Sequence, residues 1–252
     1  MRVRLNLSVG WNAEANGVEP RPRRIPRQYC RLNPGYTRGT RARAAGLFGR
    51  DLARYQANLL RSNPRIELSL DLNDRFVGAT DGFDAIIRHG TLPNKGWLAK
   101  RIAPSKRALV ASPDYLRAHG VPRTIGDLER HRGIIYSHRG ASDWRFRQSG
   151  RWSVVRSRTI MRVNNGIIMR DAAVEGMGIA LLATFHFHDL LISGKLCIVD
   201  VGAEAEPASI VIGYPTDRRV SAKVLALIAH LRTTFGTPPY WERQAGYPSG
   251  RA

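Results

Sequence analysis

The stretch "GFDAIIRHGTLPNKGWLAKRIAPSKRALVAS", Gly82 to Ser112, contains three apolar runs that read as strands. The first, "FDAIIR", carries Phe83, Ala85, Ile86 and Ile87 straight into Arg88, His89 and Gly90. A buried strand ends in a cation when it has reached water or when it has reached a ligand, and the pattern alone fits both. "WLAKRIAP" and "KRALVAS" follow as two more strands, split at Pro104-Ser105.

Downstream, Ser112-Pro113 places a cap and a first-turn proline before the helical "DYLRAHG". Thr124 and Asp127 resemble a capping box before "DLERH". "GIIYS" is a strand, and "WRFRQSGRWSVVRS" is a hairpin turning at Ser149-Gly150. The strand "TIMRVNN" leads into a helix over "GIIMRDAAVEGMG", closed by Gly176 or Gly178. "IALLAT" is a strand, "FHFHDLLISG" a short helix, and "KLCIVDV" and "SIVIGYP" strands. The last strong element has Val220, Val224, Leu227, Ile228, Leu231 and Phe235 as its apolar stripe and Ser221 as cap. Residues 237–252 read as a tail.

Upstream, Phe48, Leu52, Tyr55 and Leu59 share one helical face, ended by Pro64. "RIELSLDL" then alternates Ile66, Leu68, Leu70 and Leu72 with Glu67, Ser69 and Asp71, a strand with one wetter face. Residues 1–38 carry Pro20, Pro22, Pro26 and Pro34 among arginines and no apolar period, and read as a disordered basic arm. Strands alternating with helices give an α/β protein with largely parallel sheets, whose ligands bind beyond the carboxyl ends of strands.

The chain has 252 residues with 43% hydrophobic content, enough for a substantial core, and a net charge of +20. Residues 1–50 hold eleven arginines against Glu14 and Glu19. Two causes fit: an anionic partner, or an arginine-rich coding bias. Cys30 and Cys197 form no Cys-x-x-Cys pair, and a reducing cytosol fits. No apolar run reaches the ~20 residues of a membrane span, and "MRVRLNLSVG", interrupted at Asn6, Ser8 and Gly10, is too weak for a signal peptide.

Gly-x-Ser-x-Gly, His-Glu-x-x-His, Walker and dinucleotide signatures are absent, so neither a catalytic set nor a cofactor is expected. His186 and His188, two apart on a helix, do not share a face and make a poor metal pair. His138, Ser142 and Asp143 lie together in a polar loop, and sequence proximity does not make a triad. Trp144, Arg145, Phe146 and Arg147 alternate as a nucleic-acid surface can, but hairpin period gives core-in, solvent-out.

Taken in order, "GFDAIIRHGTLPNKGWLAKRIAPSKRALVASPDYLRAHGVPRTIGDLERH", "VNNGIIMRDAAVEGMGIALL" and "GKLCIVDV" resemble the effector-binding domain of LysR-type transcriptional regulators. The resemblance covers about Gly39 to Gly236. It implies a two-lobed, periplasmic-binding-protein-like α/β fold (type 2) with mixed, mostly parallel sheets and two crossover strands near Ala108–Ser112 and Ile210–Tyr214. Lobe one would take 39–110 plus 213–236, and lobe two 111–212. A small, anionic effector would sit between them, against Ala45, Gly46, Leu47, Asn73, Arg88, His89, Gly90, Asn164, Asn165, Thr184 and Phe185. The resemblance further implies a cytoplasmic protein, a homodimer or higher oligomer, and no membrane contact.

Two departures stand out. The family begins with a winged helix-turn-helix, and the 38 residues preceding the domain here hold no recognition helix, so DNA would be reached through a partner chain or non-specifically through the basic arm. The first strand, "GTRARAAGLFGR", has Thr40, Ala42 and Ala45 where the family usually has Leu, Val and Pro. Either the start has been eroded or frameshifted, or the domain stands alone with its arm. A stand-alone solute-binding protein and a non-functional remnant are the competing readings.

Overall fold

A computed structural model describes residues 2–7, 39–43, 58–64, 66–72, 82–90, 92, 96–137, 144–216 and 220–243. The expectations placed on Ala45, Gly46, Leu47, Asn73, His138, Ser142 and Asp143 lie outside those residues. So does most of the helix expected from Phe48, of which a turn at 58–62 is described.

Two sheets organise the chain. The first is mixed and six-stranded: β1 (Arg2–Leu7), β2 (Gly39–Arg43), β3 (Glu67–Leu72), β4 (Ala85–His89), β5 (Trp97–Ser105) and β14 (Ala208–Pro215), in the order β1-β3-β2-β4-β14-β5. The second is five-stranded, β10-β7-β11-β6-β12, from β6 (Arg107–Ala111), β7 (Arg132–Tyr136), β10 (Arg158–Val163), β11 (Ile179–Ala183) and β12 (Cys197–Ile198). A small antiparallel sheet joins β8 (Trp144–Gln148), β9 (Arg151–Val155) and β13 (Glu204–Ala205). The hairpin turns where the pattern placed it, with Ser149 and Gly150 at φ 49° and 80°.

The second sheet is covered on both faces, and side-chain alternation divides it. From β11, Ile179 and Leu181 join Trp144, Phe146, Tyr115 and Leu128 on one side. Ala180 and Leu182 join Met169, Ala172 and Phe187 on the other. An all-apolar run is what such a strand needs, since neither face meets water. Trp144 and Phe146 point into that core while Arg147 is exposed, which is the core-in, solvent-out arrangement.

Helices begin where the capping residues stand. Ser112 accepts from the Tyr115 amide at the start of α1 (Pro113–His119). Asn165 Oδ1 accepts from Ile167 and Ile168 at the start of α2 (Gly166–Val174). The expected "DLERH" helix is a four-residue 3-10 turn, Asp127–Arg130. Thr124 and Asp127 exchange hydrogen bonds ahead of it. "EGMG" uses its glycines differently: Gly176, at φ 71°, turns the chain out of α2. Gly178 lets β11 pass the Arg132 carbonyl, which a Cβ would approach to 2.5 Å. "FHFHDLLISG" forms a 3-10 turn, Thr184–His186, and then α3 (His188–Ile192).

Helix α4 (Ala222–Phe235) buries Val224, Leu227, Ile228, Leu231 and Phe235 against Ala85, Ile87, Ile210 and Ile212 of the first sheet. Each such side chain contributes about 2 kcal/mol of burial. Asp84, just ahead of β4, pairs with Lys223 of α4 at 2.7 Å, so one ion pair fixes both the strand's start and the helix's first turn.

The chain crosses from the first sheet to the second at Lys106, between β5 and β6, and returns between β13 and β14. Both crossings come earlier than the expected 108–112 and 210–214. Because β14 pairs with β5 from Ala208↔Ser105 onward, the two strands leave the first sheet together. Arg107 binds the two crossings to each other, donating from Nε to the Glu206 carbonyl at 2.9 Å.

Two segments assigned outside the domain are built into it. Arg2–Leu7, placed in the arm, is a parallel strand: Val3, Leu5 and Leu7 alternate with Arg4 and Asn6, a short strand pattern that the proline-rich remainder obscures. Its register duplicates that of β2. Val3 and Thr40 both pair with Leu68, Arg4 and Arg41 with Ser69, Leu5 and Ala42 with Ala85, and Asn6 and Arg43 with Ile86. β1 also pairs in parallel with β2 itself, from Arg2↔Gly39 to Leu5↔Ala42, in addition to its pairings with β3 and β4. At the other end, part of the expected tail folds back as α5 (Tyr240–Arg243), because Trp241 has an apolar site to fill.

Candidate functional site

Strands β4 and β11 end close to the crossings, and their carboxyl ends carry the residues singled out from the sequence. Arg88 is 1% exposed, so it does not end the strand in water. His89 follows, and Gly90 closes the strand by donating to the Ser209 carbonyl at 2.8 Å. The His89 ring stands edge-on to Phe185, with centroids 5.4 Å apart. Phe185 lies against His186 at 4.5 Å. His186 in turn sits over the first residue of α2, where a Cβ on Gly166 would meet Nε2 at 2.4 Å. A continuous line of contacts therefore runs from His89 through Phe185 and His186 to Asn165-Gly166.

Thr184 is fully buried. Its amide donates to the Lys106 carbonyl at 3.0 Å, and its hydroxyl has no hydrogen-bond partner among the described residues. His89 Nε2 is likewise buried and without a hydrogen-bond partner among them. Trp241 Nε1, whose ring packs on Phe185 as that of His89 does, is a third such atom, and buried polar atoms of this kind are what a site awaiting a polar ligand presents.

The local field is positive. Burial pushes the His89 imidazole down to about 3, and the nearby Arg107 and His186 add to the effect. Burial likewise lowers His186 to about 3, with Arg170 contributing. Both rings are neutral at physiological pH, each offering one donor and one acceptor. Arg107 is itself lowered by burial, against the opposing pull of Glu206.

Not every expected residue reaches this line. Asn165 Oδ1 is committed to two backbone amides as the α2 cap, so it does not offer the free acceptor anticipated for it. Asn164 is exposed at the end of β10. Sequence reasoning passed over His186 as part of a weak metal pair. His186 packs on Gly166 and His188 on Tyr240, 5.4 Å between ring centroids, so the two imidazoles serve different neighbours. It also missed Arg107, which no local pattern separates from the other basic residues. Among the described residues no group of three or more His, Cys, Asp or Glu is placed to hold a metal, and no helix is long and apolar enough to cross a membrane.

The model of the LysR substrate binding domain matches residues 49–236, about three quarters of the chain. The chain belongs to the LysR substrate-binding domain family. Among relatives of this family, the HTH-type transcriptional regulator YhjC of Escherichia coli is 33% identical over 168 residues, covering 64% of this chain and 56% of that protein. The chain thus spans a little over half the length of this regulator. The regulatory domain of CrgA from Neisseria meningitidis, a LysR-type regulator, superimposes with a TM-score of 0.67 over 77% of this chain and 96% of that one, at 23% identity. The full-length Vibrio cholerae virulence activator AphB gives 0.65 over 76% and 66%, at 25% identity. These likenesses establish the two-lobed LysR fold.

Proposed function

We propose that the chain is the effector-sensing part of a LysR-type transcriptional regulator, and that it binds a small anionic metabolite between its two lobes. The observation that carries this reading is the convergence at the β4 and β11 ends. Candidate residues 96 positions apart in sequence, His89 and Phe185, touch there, beside two buried polar atoms without partners and within the field of Arg107. An anion placed there meets donors and a positive potential while its apolar part meets Phe185. Arg88, His89, Thr184 and Phe185 are its contacts; Ala45, Gly46, Leu47, Asn73 and Asn164 complete the proposed set, and Asn165 contributes its amide NH2.

Effector binding changes the relation of the lobes around Lys106 and the Arg107–Glu206 contact, and so alters how an oligomer presents itself to DNA. In this reading DNA contact comes from a partner chain, or without sequence reading from the arginine-rich residues before Gly39. The family is one of regulators, and the site offers binding groups rather than a nucleophile and base.

The test is thermal unfolding against a panel of small carboxylates and aromatic acids. A ligand that binds only the folded chain raises the midpoint by mass action. A shift that Thr184→Val and His89→Leu each abolish supports the reading. A shift that both variants retain in full removes the site from where it is drawn.

A further inference from the structure

The matched family region ends at Gly236, yet the next seven residues make contacts with three parts of the molecule. Trp241 is 0% exposed. Its ring stands edge-on to Phe235 of α4 at 5.0 Å and to Phe185 at 5.8 Å, so one side chain joins the last helix of the first lobe to the candidate ligand wall. Tyr240 stacks edge-on to His188 at the start of α3, 5.4 Å between centroids. Glu242 Oε1 accepts from the Lys106 amide at 3.1 Å, in the crossing itself. Arg243 closes the loop by donating from Nε to the Pro238 carbonyl at 2.8 Å.

Both backbone groups of Lys106, in two successive peptide units, are therefore held. Its amide is taken by Glu242 and its carbonyl by the Thr184 amide. The Lys106 crossing is one of two covalent passages between the sheets among the described residues, so a turn of one lobe against the other bends the chain there. A strap that holds the Lys106 amide and packs behind Phe185 acts on hinge and ligand wall together.

We infer that Tyr240–Arg243 is an interlobe latch: Trp241 anchors it, Glu242 clamps the Lys106 hinge, and through Lys106 and Phe185 the two act as positioning residues for the effector site. This rests on the proposed effector site for its consequence, but not for its test, which needs no ligand. Amide hydrogen exchange is measured on the full chain for Glu242→Ala, Glu242→Gln and Trp241→Leu.

Loss of the acceptor frees the Lys106 amide under any role for Glu242, so the decisive readout is one bond further on. Glu242→Ala should raise exchange at Thr184 by about tenfold while amides of β7 such as Ile134 stay protected as before. Glu242→Gln, which keeps an acceptor oxygen, should restore protection at Thr184. Trp241→Leu should raise exchange at Thr184 as well. Unchanged Thr184 exchange in both Glu242→Ala and Trp241→Leu overturns the latch. So does an equal rise across both sheets, which would mean general destabilisation. A ligand screen that finds no effector would count against the effector reading alone and leave this result standing.

Discussion

Lowering the pH from 7.5 to 5.0 should weaken this fold sharply, through two imidazoles. His89 and His186 are held near 3 in the folded chain, against an ordinary value of about 6.5 once the chain unfolds. The folded-state values are depressed, so their effect on stability is absent above about pH 6.5 and grows as the pH falls toward 3: the unfolded chain takes up protons that the folded chain refuses. Each unit of difference is about 1.4 kcal/mol, so by pH 5.0 each imidazole removes about 2 kcal/mol and the pair about 4. Against a total of about 5–15 kcal/mol for a typical domain, that is a large fraction. The assay is urea unfolding followed by tryptophan fluorescence at the two pH values, for the wild type and for the His89→Gln/His186→Gln double variant. Other titrating groups, including the partly buried His131 whose value burial also lowers, remain in both chains and cancel in the comparison. The wild type should lose about 4 kcal/mol more than the variant. Equal losses would show that these rings do not sit in the dry, positively charged setting described, and the electrostatic case for an anion would go with them.

Two further outcomes are expected. Asn165→Ala removes the acceptor for two amides at the start of α2 and should lower stability by about 1 kcal/mol in chemical unfolding, with Asn165→Asp close to wild type. Leu5→Pro puts a residue without an N–H into a strand that pairs with β2, β3 and β4, and should destabilise by about 3 kcal/mol in chemical unfolding. No loss of stability would mean that Arg2–Leu7 is not an integral strand of the sheet.

What the sequence disclosed followed from how local the cause was. Caps at Ser112 and Ser221, the hairpin at Ser149-Gly150 and the stripe of α4 rest on neighbours within one or two turns, and each was legible, whereas the cap at Asn165 was read only as a ligand contact. The crossing at Lys106 was misplaced because Arg107 and Glu206, which tie the two passages, are 99 residues apart. Arg2–Leu7 was overlooked because its alternation is short and sits beside a proline-rich run. Trp241 was assigned to a tail because a single aromatic has no period; its role is visible only once Phe185 and Phe235 are side by side. Of the site, Arg88-His89-Gly90 stood out by its strand-end pattern and again by the resemblance, and Thr184-Phe185 by the resemblance alone, while His186 emerged only when β11 and α2 were folded against each other.

The shared register of Arg2–Leu7 and Gly39–Arg43 has a practical meaning for protein engineering. Strand side chains alternate with period two, so a segment entering one residue out of step would turn every side chain to the wrong face. These two run in step, and each meets Leu68, Ser69, Ala85 and Ile86 at the same register positions. A fragment of this chain cut for binding or crystallisation work should therefore keep its first seven residues: starting it at Gly39 would discard a strand that pairs with β2, β3 and β4.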